Sequence, residues 1–376
     1  MTSLVSQSIS DLRAKIPDWL KQSDLHAVMR VDQTSLWQEA WENQAFQSTH
    51  YAASMIDYQH VYLASNDQIF VDISMVLLND GKPCAIWPLS LIYRKNCKLT
   101  TYGSPVLPPF FVSNLSSRTI KKIIANGLKF IQILQNALSI ECLQISESSP
   151  PDTLANGLTE WHQQWLSLGA SISVKHNLYV DLSLSLEEIK SKFRKSYRSL
   201  INVGQKLWSA HVMDSQCANE ECWNEFKSLH RHVAGRVTRD DESWALQYQM
   251  IKNDEALLIC LRDLSNENRL IGAGFFQMTR DSAQYAVAAY DRDLFDQPIG
   301  HIVQMRAIEQ MKKRGIRWYE IGERMFPCDE PKPSEKELAI SLFKQGFATH
   351  LLPKFFFDFR FVFKNEKANT LNPISL

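Results

Sequence analysis

The feature that most constrains the fold is an order of predicted elements that occurs twice. In each half, apolar and β-branched segments typical of antiparallel strands precede a long helix, a short strand, a second helix and a long strand. The first-half elements cover residues 69–78, 84–94, 118–138, 140–145, 153–168 and 171–182; the second-half elements cover residues 256–262, 270–279, 283–290, 300–314, 318–321, 335–345 and 354–363. Element order alone therefore suggests duplication of one mixed α/β unit, with two unrelated mixed domains as the alternative.

A chain of 376 residues exceeds the size at which a single hydrophobic core stops growing, roughly 250 to 300 residues. We therefore expect two domains, residues 1–183 and 184–376, each a mostly antiparallel mixed sheet flanked by helices. A long helix over residues 186–208, with Ser185 as its N-cap, marks the join.

Charge and cysteine content exclude several classes of protein. Lys plus Arg and Asp plus Glu number 41 each, so no overall field attracts nucleic acid or an anionic membrane. The first 20 residues carry charges where a signal peptide needs an apolar core, and no later run is long and apolar enough to insert into a membrane. We expect a cytoplasmic protein whose seven scattered cysteines are reduced.

Residues 285–322, YAVAAYDRDLFDQPIGHIVQMRAIEQMKKRGIRWYEIG, predict a strand, a turn, a helix, a glycine and a strand. This segment resembles the centre of a GNAT-type domain in FemAB-like proteins. The resemblance implies tandem GNAT-like domains and a turn whose backbone N–H groups hold the pyrophosphate of acyl-CoA, because a helix N-terminus is an anion site. The matching positions are Gln297, Gly300 and Ile302, with His301 between the last two. An ordinary strand-to-helix turn with Pro298 is the alternative.

Ile302 departs from this family pattern, because CoA users have a small residue there that lets phosphate approach. FemAB proteins that take their acyl group from aminoacyl-tRNA have lost the pattern. The resemblance therefore leaves acyl-CoA and aminoacyl-tRNA both open as donors.

Residues 342–347, LFKQGF, resemble the Phe-Lys-x-Gly-Phe signature near the C-terminus of FemAB-like enzymes. The resemblance implies that Lys344 lies in the active-site cleft and stabilises negative charge on the reacting carbonyl. The residues alone also fit an exposed lysine at a helix C-terminus that Gly346 ends.

Residues 190–206 contain six basic residues and no acidic one, and they resemble the basic helix ahead of the second FemAB domain. Arg194 and Arg198 share one helical face that could hold the phosphates of CoA, tRNA or a nucleotide-linked substrate. Arg236 lies in a stretch that resembles an arginine-containing loop reaching toward substrate, and Tyr290 is a further candidate for substrate contact. A solvated basic face is the alternative.

Acidic side chains at the ends of predicted strands are candidates for the base that deprotonates an amine. Asp291 and Glu320 are the first choices and Glu323 is a third, with surface or salt-bridged carboxylates as the alternative. The spacing of the histidines and cysteines near residue 220 fits no structural zinc pattern, so no metal is expected. Neither G-x-S-x-G nor a P-loop is present, which disfavours a nucleophilic hydrolase.

The sequence thus predicts an N-acyltransferase that moves an acyl group from acyl-CoA to a small-molecule amine or a nucleotide-linked acceptor by direct attack. An aminoacyltransferase that uses aminoacyl-tRNA on a peptidoglycan precursor, as FemX-type proteins do, is the second hypothesis. A non-catalytic binding protein on the same fold is the third.

Overall fold

The protein was analysed as a computed structural model that describes residues 2–64, 69–93, 96–147, 151–154 and 157–361. Its helices are α1 (Thr2–Ser23), α2 (Thr34–Glu42), α3 (Ala53–Ala64), α4 (Ser117–Leu138), α5 (Pro151–Leu154), α6 (Glu160–Ser167), α7 (Leu186–Lys192), α8 (Lys195–Leu207), α9 (Glu220–Ala234), α10 (Asp241–Lys252), α11 (Ile299–Lys313) and α12 (Glu335–Gln345). Its strands are β1 (Ala27–Met29), β2 (Ile69–Asp72), β3 (Met75–Asn79), β4 (Lys82–Trp87), β5 (Ser90–Tyr93), β6 (Cys97–Thr100), β7 (Phe110–Phe111), β8 (Cys142–Ser146), β9 (Ser171–Asp181), β10 (Ser209–Met213), β11 (Ala256–Asp263), β12 (Arg269–Met278), β13 (Ser282–Tyr290), β14 (Trp318–Glu323) and β15 (His350–Arg360).

The central sheet has eight strands in the order β10-β11-β12-β13-β14-β9-β15-β8. Strands β13 and β14 are parallel, and every other neighbouring pair in this sheet is antiparallel. Two smaller sheets, β1-β3-β4-β7 and β2-β5-β6, complete the first half. This architecture confirms the predicted α/β class with mostly antiparallel mixed sheets.

The two halves exchange their last strands. Strand β9, from the first half, lies between β14 and β15, and β15, from the second half, lies between β9 and β8. Strand β8 of the first half corresponds to β14 of the second, and β9 corresponds to β15. Interchanging the corresponding strands in the order β14-β9-β15-β8 gives the same order in reverse, as a duplication would produce. The predicted units 1–183 and 184–376 therefore share one sheet, and the boundary between them stays a prediction.

Strand β11 shows how the sheet divides the second-half core. All six residues from Ala256 to Leu261 are buried, because helices cover both faces of the sheet. Leu257, Ile259 and Leu261 pack in the cluster that contains α8 and α11 side chains. Leu258 and Cys260 pack in the cluster on the other face, with α9 and α10.

The helix predicted over residues 186–208 is two helices. A capping box between Ser185 and Glu188 starts α7, as expected for its N-cap. At Phe193 the backbone is extended (φ −61°, ψ 152°), and α8 begins two residues later. The break lets the buried Phe193 ring pack 5.2 Å from Phe347, at the end of α12.

Close packing fixes the position of α8 over the rest of the second half. At Gly204 of α8, an added Cβ would lie 2.3 Å from the Ile302 side chain. At Gly346, it would lie 2.1 Å from the Tyr197 ring, and the Tyr197 hydroxyl donates a hydrogen bond to the Phe343 carbonyl (3.1 Å). Gly346 has a right-handed backbone conformation (φ −62°, ψ −15°), so this glycine serves close approach and not a left-handed helix end.

We predict that Gly346→Ala destabilises the protein by about 1–3 kcal/mol, because the Tyr197 ring must move out of a packed contact. The backbone itself tolerates alanine. Equilibrium unfolding in urea measures the effect. The matched test is a double-mutant cycle with Tyr197→Ala, in which the two losses should be less than additive; a Gly346→Ala protein as stable as the parent would contradict the packing described.

Candidate active site

Lys344 lies in the last turn of α12, whose start is fixed by a capping box between Ser334 and Glu337. The helix lays the Lys344 side chain over Gly322 of β14. A Cβ at Gly322 would lie 2.7 Å from Lys344 Nζ, and Gly322 has a φ of +135°, so both space and backbone favour glycine. Lys344 Nζ also lies 5.5 Å from the centroid of the Tyr285 ring, within cation–π range.

The Lys344 ammonium is partly buried, and within the described residues it has no hydrogen-bond or ion-pair partner. Burial lowers its pKa, while the nearby charges of Glu320 and Glu323 act in the opposite direction. An ammonium has three N–H donors. This one can therefore donate to an oxygen atom that enters the site.

Two tyrosines, one of which places its ring near Lys344, follow the point where β13 and β14 cease to pair. The parallel pairing covers three residues of each strand and stops at Gln284 and Glu320. Beyond it, the Tyr285 and Tyr290 hydroxyls are 2.9 Å apart. Burial raises the pKa of Tyr285 to about 12. These hydroxyls therefore keep their protons at neutral pH.

Tyr319 and Gln304 form a second buried hydrogen-bonded pair. The Tyr319 hydroxyl donates to Gln304 Oε1 (2.7 Å), and Gln304 is fully buried in α11. Burial raises the pKa of Tyr319 well above its ordinary value. A buried hydrogen bond of this kind helps to hold the neighbouring side chains in one arrangement.

Glu320, in the second half, is held by two residues of the first half. Its Oε2 lies 3.1 Å from His50 Nε2, and its Oε1 accepts a hydrogen bond from Asn177 Nδ2 (2.8 Å). Burial alone would raise the pKa of Glu320, but His50, Lys354 and Lys344 outweigh it and hold this pKa at about 2. A carboxylate with that pKa and with both oxygens engaged is a weak base at neutral pH.

The other two acidic candidates also have structural partners. Asp291 Oδ2 pairs with Arg269 (2.9 Å), and its Oδ1 accepts from the Asp293 backbone N–H (3.1 Å) at the start of a 3-10 turn. Glu323 Oε1 lies 3.5 Å from Lys175 Nζ. Both arrangements match the salt-bridged alternative for these carboxylates.

The N-terminal turn of α11 is covered by side chains. Gly300 is buried, and a Cβ there would lie 3.0 Å from the Phe343 ring. The N–H groups of Ile299 and His301 donate to the carbonyls of Gln297 and Pro298 (2.9 and 3.1 Å). Ile302 is 2% exposed and packs against α8. Gln297 itself is partly exposed and its side-chain amide donates to Asp296 (3.1 Å).

His301 projects from the same turn into an aromatic group. Its ring lies 4.4 Å from Tyr197, 5.1 Å from Phe343 and 5.8 Å from Phe347, measured between centroids. Burial, assisted by the charge of Arg194, lowers the pKa of His301 to about 4. His301 is therefore a neutral packing residue at pH 7.

The two arginines predicted to bind phosphate bind the ends of helices. Arg194 Nη2 donates to the Leu342 carbonyl in α12 (3.4 Å), and Arg194 also lies over the Tyr197 ring. Arg198 donates to the carbonyls of Lys190 and Ser191 at the end of α7 (2.9 and 3.0 Å). Cations are favoured at helix C-termini because of the helix dipole.

Arg236 lies elsewhere, in the loop between α9 and α10. This loop lines a cleft of about 470 Å³, the arginine cleft, whose floor includes Trp244 and Arg239. Arg239 is fixed by the Tyr58 hydroxyl (2.9 Å), whereas Arg231 and Arg236 have no hydrogen bond or ion pair to any part of the chain that the structure describes. The cleft is on the α9 and α10 face of the sheet, opposite to Tyr285.

Five polar residues around Lys344 and Glu320 were not predicted as site residues from the sequence: Tyr285, Tyr319, Gln304, His50 and Asn177. Gln304 carried a detectable signal, since it is a polar residue on the apolar face of α11 that also bears Gly300, Val303, Ala307 and Ile308. His50 carried none, because it lies 270 residues from Glu320 along the chain.

Two kinds of feature are absent from the part of the chain that the structure describes. In these ranges, no three His, Cys, Asp or Glu side chains converge as metal ligands would. Within the same ranges, no helix combines the length and apolar character needed to cross a bilayer.

No family model matches the sequence, and no curated protein matches it. Several solved structures have a fold similar to that of this chain. The structure of FemX has 11% identity and a TM-score of 0.61, with 89% of this chain and 96% of FemX covered. L-PGS from Bacillus licheniformis has 11% identity and a TM-score of 0.54, with 88% and 92% covered.

The C-terminal domain of a putative lysylphosphatidylglycerol synthetase from Agrobacterium fabrum has 10% identity and a TM-score of 0.52, with 87% and 92% covered. At sequence identities this low, the structural similarity shows a shared fold and no more. The chain therefore shares its fold with FemX and with L-PGS.

Proposed function

We propose that this chain is an acyltransferase in which Lys344 binds the carbonyl oxygen of the acyl donor. The observation that carries the proposal is a partly buried ammonium without a hydrogen-bond partner among the described residues, held over Gly322 and beside Tyr285. Attack of an amine on a carbonyl places negative charge on its oxygen. A fixed cation in a site with little water stabilises that charge more than bulk solvent does.

In this proposal the described carboxylates are not the base. Glu320 and Asp291 have their oxygens engaged by His50, Asn177 and Arg269. The nitrogen of the amine attacks the carbonyl carbon, and the tetrahedral intermediate collapses as the bond from that carbon to the ester oxygen of the donor breaks. The proton lost by the amine passes to this departing oxygen, which becomes a hydroxyl group. Glu320 acts as a fixed anion that favours the protonated form of Lys344, since its charge opposes the lowering of the Lys344 pKa by burial.

We propose aminoacyl-tRNA as the donor in preference to acyl-CoA. The first turn of α11 supports this choice, because Ile302 packs against Gly204 and Gly300 against Phe343 where a pyrophosphate would need open backbone amides. An ester-linked aminoacyl group needs no such turn. The FemAB proteins that use aminoacyl-tRNA have also lost the glycine-rich pattern there.

We propose that the acceptor enters from the arginine cleft. Arg231 and Arg236 offer unpaired guanidinium groups suited to phosphate or carboxylate. These guanidinium groups would hold the phosphate of a nucleotide-linked acceptor, such as a peptidoglycan precursor, whose amine is the group that attacks.

Lys344→Met should lower kcat by about 10²–10³-fold, because it removes the donor to the oxyanion while keeping the length of the side chain. The assay follows transfer from aminoacyl-tRNA to a nucleotide-linked peptide. Lys336→Met, an exposed lysine of the same helix, is the matched control and should retain full turnover. Unchanged turnover in Lys344→Met would exclude the assigned role.

Titration calorimetry should show no binding of CoA or acetyl-CoA at concentrations up to about 1 mM, the regime of very weak affinity. Activity with aminoacyl-tRNA should be lost after RNase treatment. Micromolar CoA affinity that Gln297→Ala abolishes would instead support the acyl-CoA hypothesis. If neither donor binds, the non-catalytic hypothesis gains support.

The pairing of Glu320 predicts a pH-dependent stability. Its folded pKa, about 2, lies below the unfolded value of about 4.3, so its contribution is complete above pH 5 and is lost as the pH falls toward 2. Glu320→Gln should therefore cost about 2–3 kcal/mol at pH 6 and clearly less at pH 3. Denaturant unfolding at both pH values measures this, with Glu323→Gln as a control expected to show a smaller change. An equal loss at both pH values would be inconsistent with the ion pair.

A further inference from the structure

Two cysteines lie in contact on the face of the central sheet opposite to Lys344. Cys222 is in the first turn of α9, where its backbone N–H donates to the N-cap Asn219 (2.8 Å). Its Sγ lies 3.3 Å from Sγ of Cys260 on β11. A disulfide has an S–S distance of about 2.05 Å, so the two sulfur atoms need approach by only about 1.3 Å.

The surroundings of Cys222 favour its thiolate. Arg262 Nη2 lies 3.5 Å from Cys222 Sγ, and Glu225 holds this guanidinium in place through both of its oxygens. The N-terminus of α9 adds the positive end of a helix dipole. The contact with Cys260, together with Arg262, outweighs burial and lowers the pKa of Cys222 to about 7.

Exposure distinguishes the two thiols. Cys222 is partly exposed, whereas Cys260 is 1% exposed in the core between the sheet and α9. An oxidant from solvent therefore meets Cys222 first. Cys260 is then the only thiol within 3.3 Å of it in the described part of the chain.

We propose that Cys222 and Cys260 form an oxidation site that hydroperoxides convert to a disulfide. The Cys222 thiolate attacks one oxygen of H2O2 and becomes a sulfenic acid, and the hydroxide that leaves takes up a proton to form water. The Cys260 thiol then attacks the Cys222 sulfur, and a second water leaves. Two thiols are oxidised by two electrons in total, and one peroxide is reduced to two waters.

Cys217 is the natural control, because it is exposed and lies five residues before Cys222. Its Sγ donates to the Val212 carbonyl and to Asp214 (3.2 and 3.3 Å). Burial and the carboxylate of Asp214 raise its pKa. Cys217 is therefore accessible to an oxidant but lacks the neighbours that lower the pKa of Cys222.

The experiment treats the reduced 376-residue chain with H2O2 at pH 7, blocks free thiols and maps peptides by mass spectrometry without reductant. We expect a Cys222–Cys260 linked peptide that dithiothreitol cleaves, and initial alkylation of Cys222 by iodoacetamide at least about tenfold faster than that of Cys217. Cys217→Ser should form the link at the parental rate.

Two variants separate the chemistry from misfolding. In Cys260→Ser, dimedone should trap the Cys222 sulfenic acid, because the resolving thiol is gone. Arg262→Gln should slow formation of the link several-fold while its circular dichroism spectrum stays that of the parent. A peroxide dose that oxidises Cys217 or Cys328 while Cys222 and Cys260 stay reduced would overturn the proposal, as would linkage of Cys222 to another cysteine.

Discussion

The pairing of β9 with β15 is the contact on which the rest of the structure depends. The two strands pair over nine residues, and each also pairs with the half from which it did not come. One continuous sheet is the result. The site around Lys344 is built on it: β14 carries Glu320, β9 carries Asn177, and α12 connects β14 to β15.

The charges around this site are organised by burial. Glu320 is satisfied by His50 and Asn177, so it is a fixed anion. Lys344 has neutral aromatic surface on one side and carboxylate charge at longer range, without a direct partner in the described chain. A buried cation without a direct partner costs free energy as long as no donor is bound. When Lys344 binds the carbonyl oxygen of the acyl donor, the new interaction recovers part of that cost. This recovery is the physical basis of the role proposed for Lys344.

Local patterns in the sequence predicted most of the second half. The apolar composition and length of β11 to β13, the helix α11 with Gly315 after it, and the position of Lys344 near a helix end all follow from signals within a few residues. The closed turn of α11 was not predictable, because it is made by Gly204 of α8 and Phe343 of α12, nearly 100 residues before and 43 residues after Gly300. The partners of Glu320 lie outside its own segment in the same way.

The exchanged strands also constrain how the chain folds during synthesis. Strand β8 is synthesised well before β15, the neighbour that covers its edge, because β15 begins only at His350. Until then the first half presents an unpaired strand edge, a surface prone to wrong association. Closure of the sheet therefore cannot precede the synthesis of β15, and until that point the nascent chain lacks the strand that protects the edge of β8.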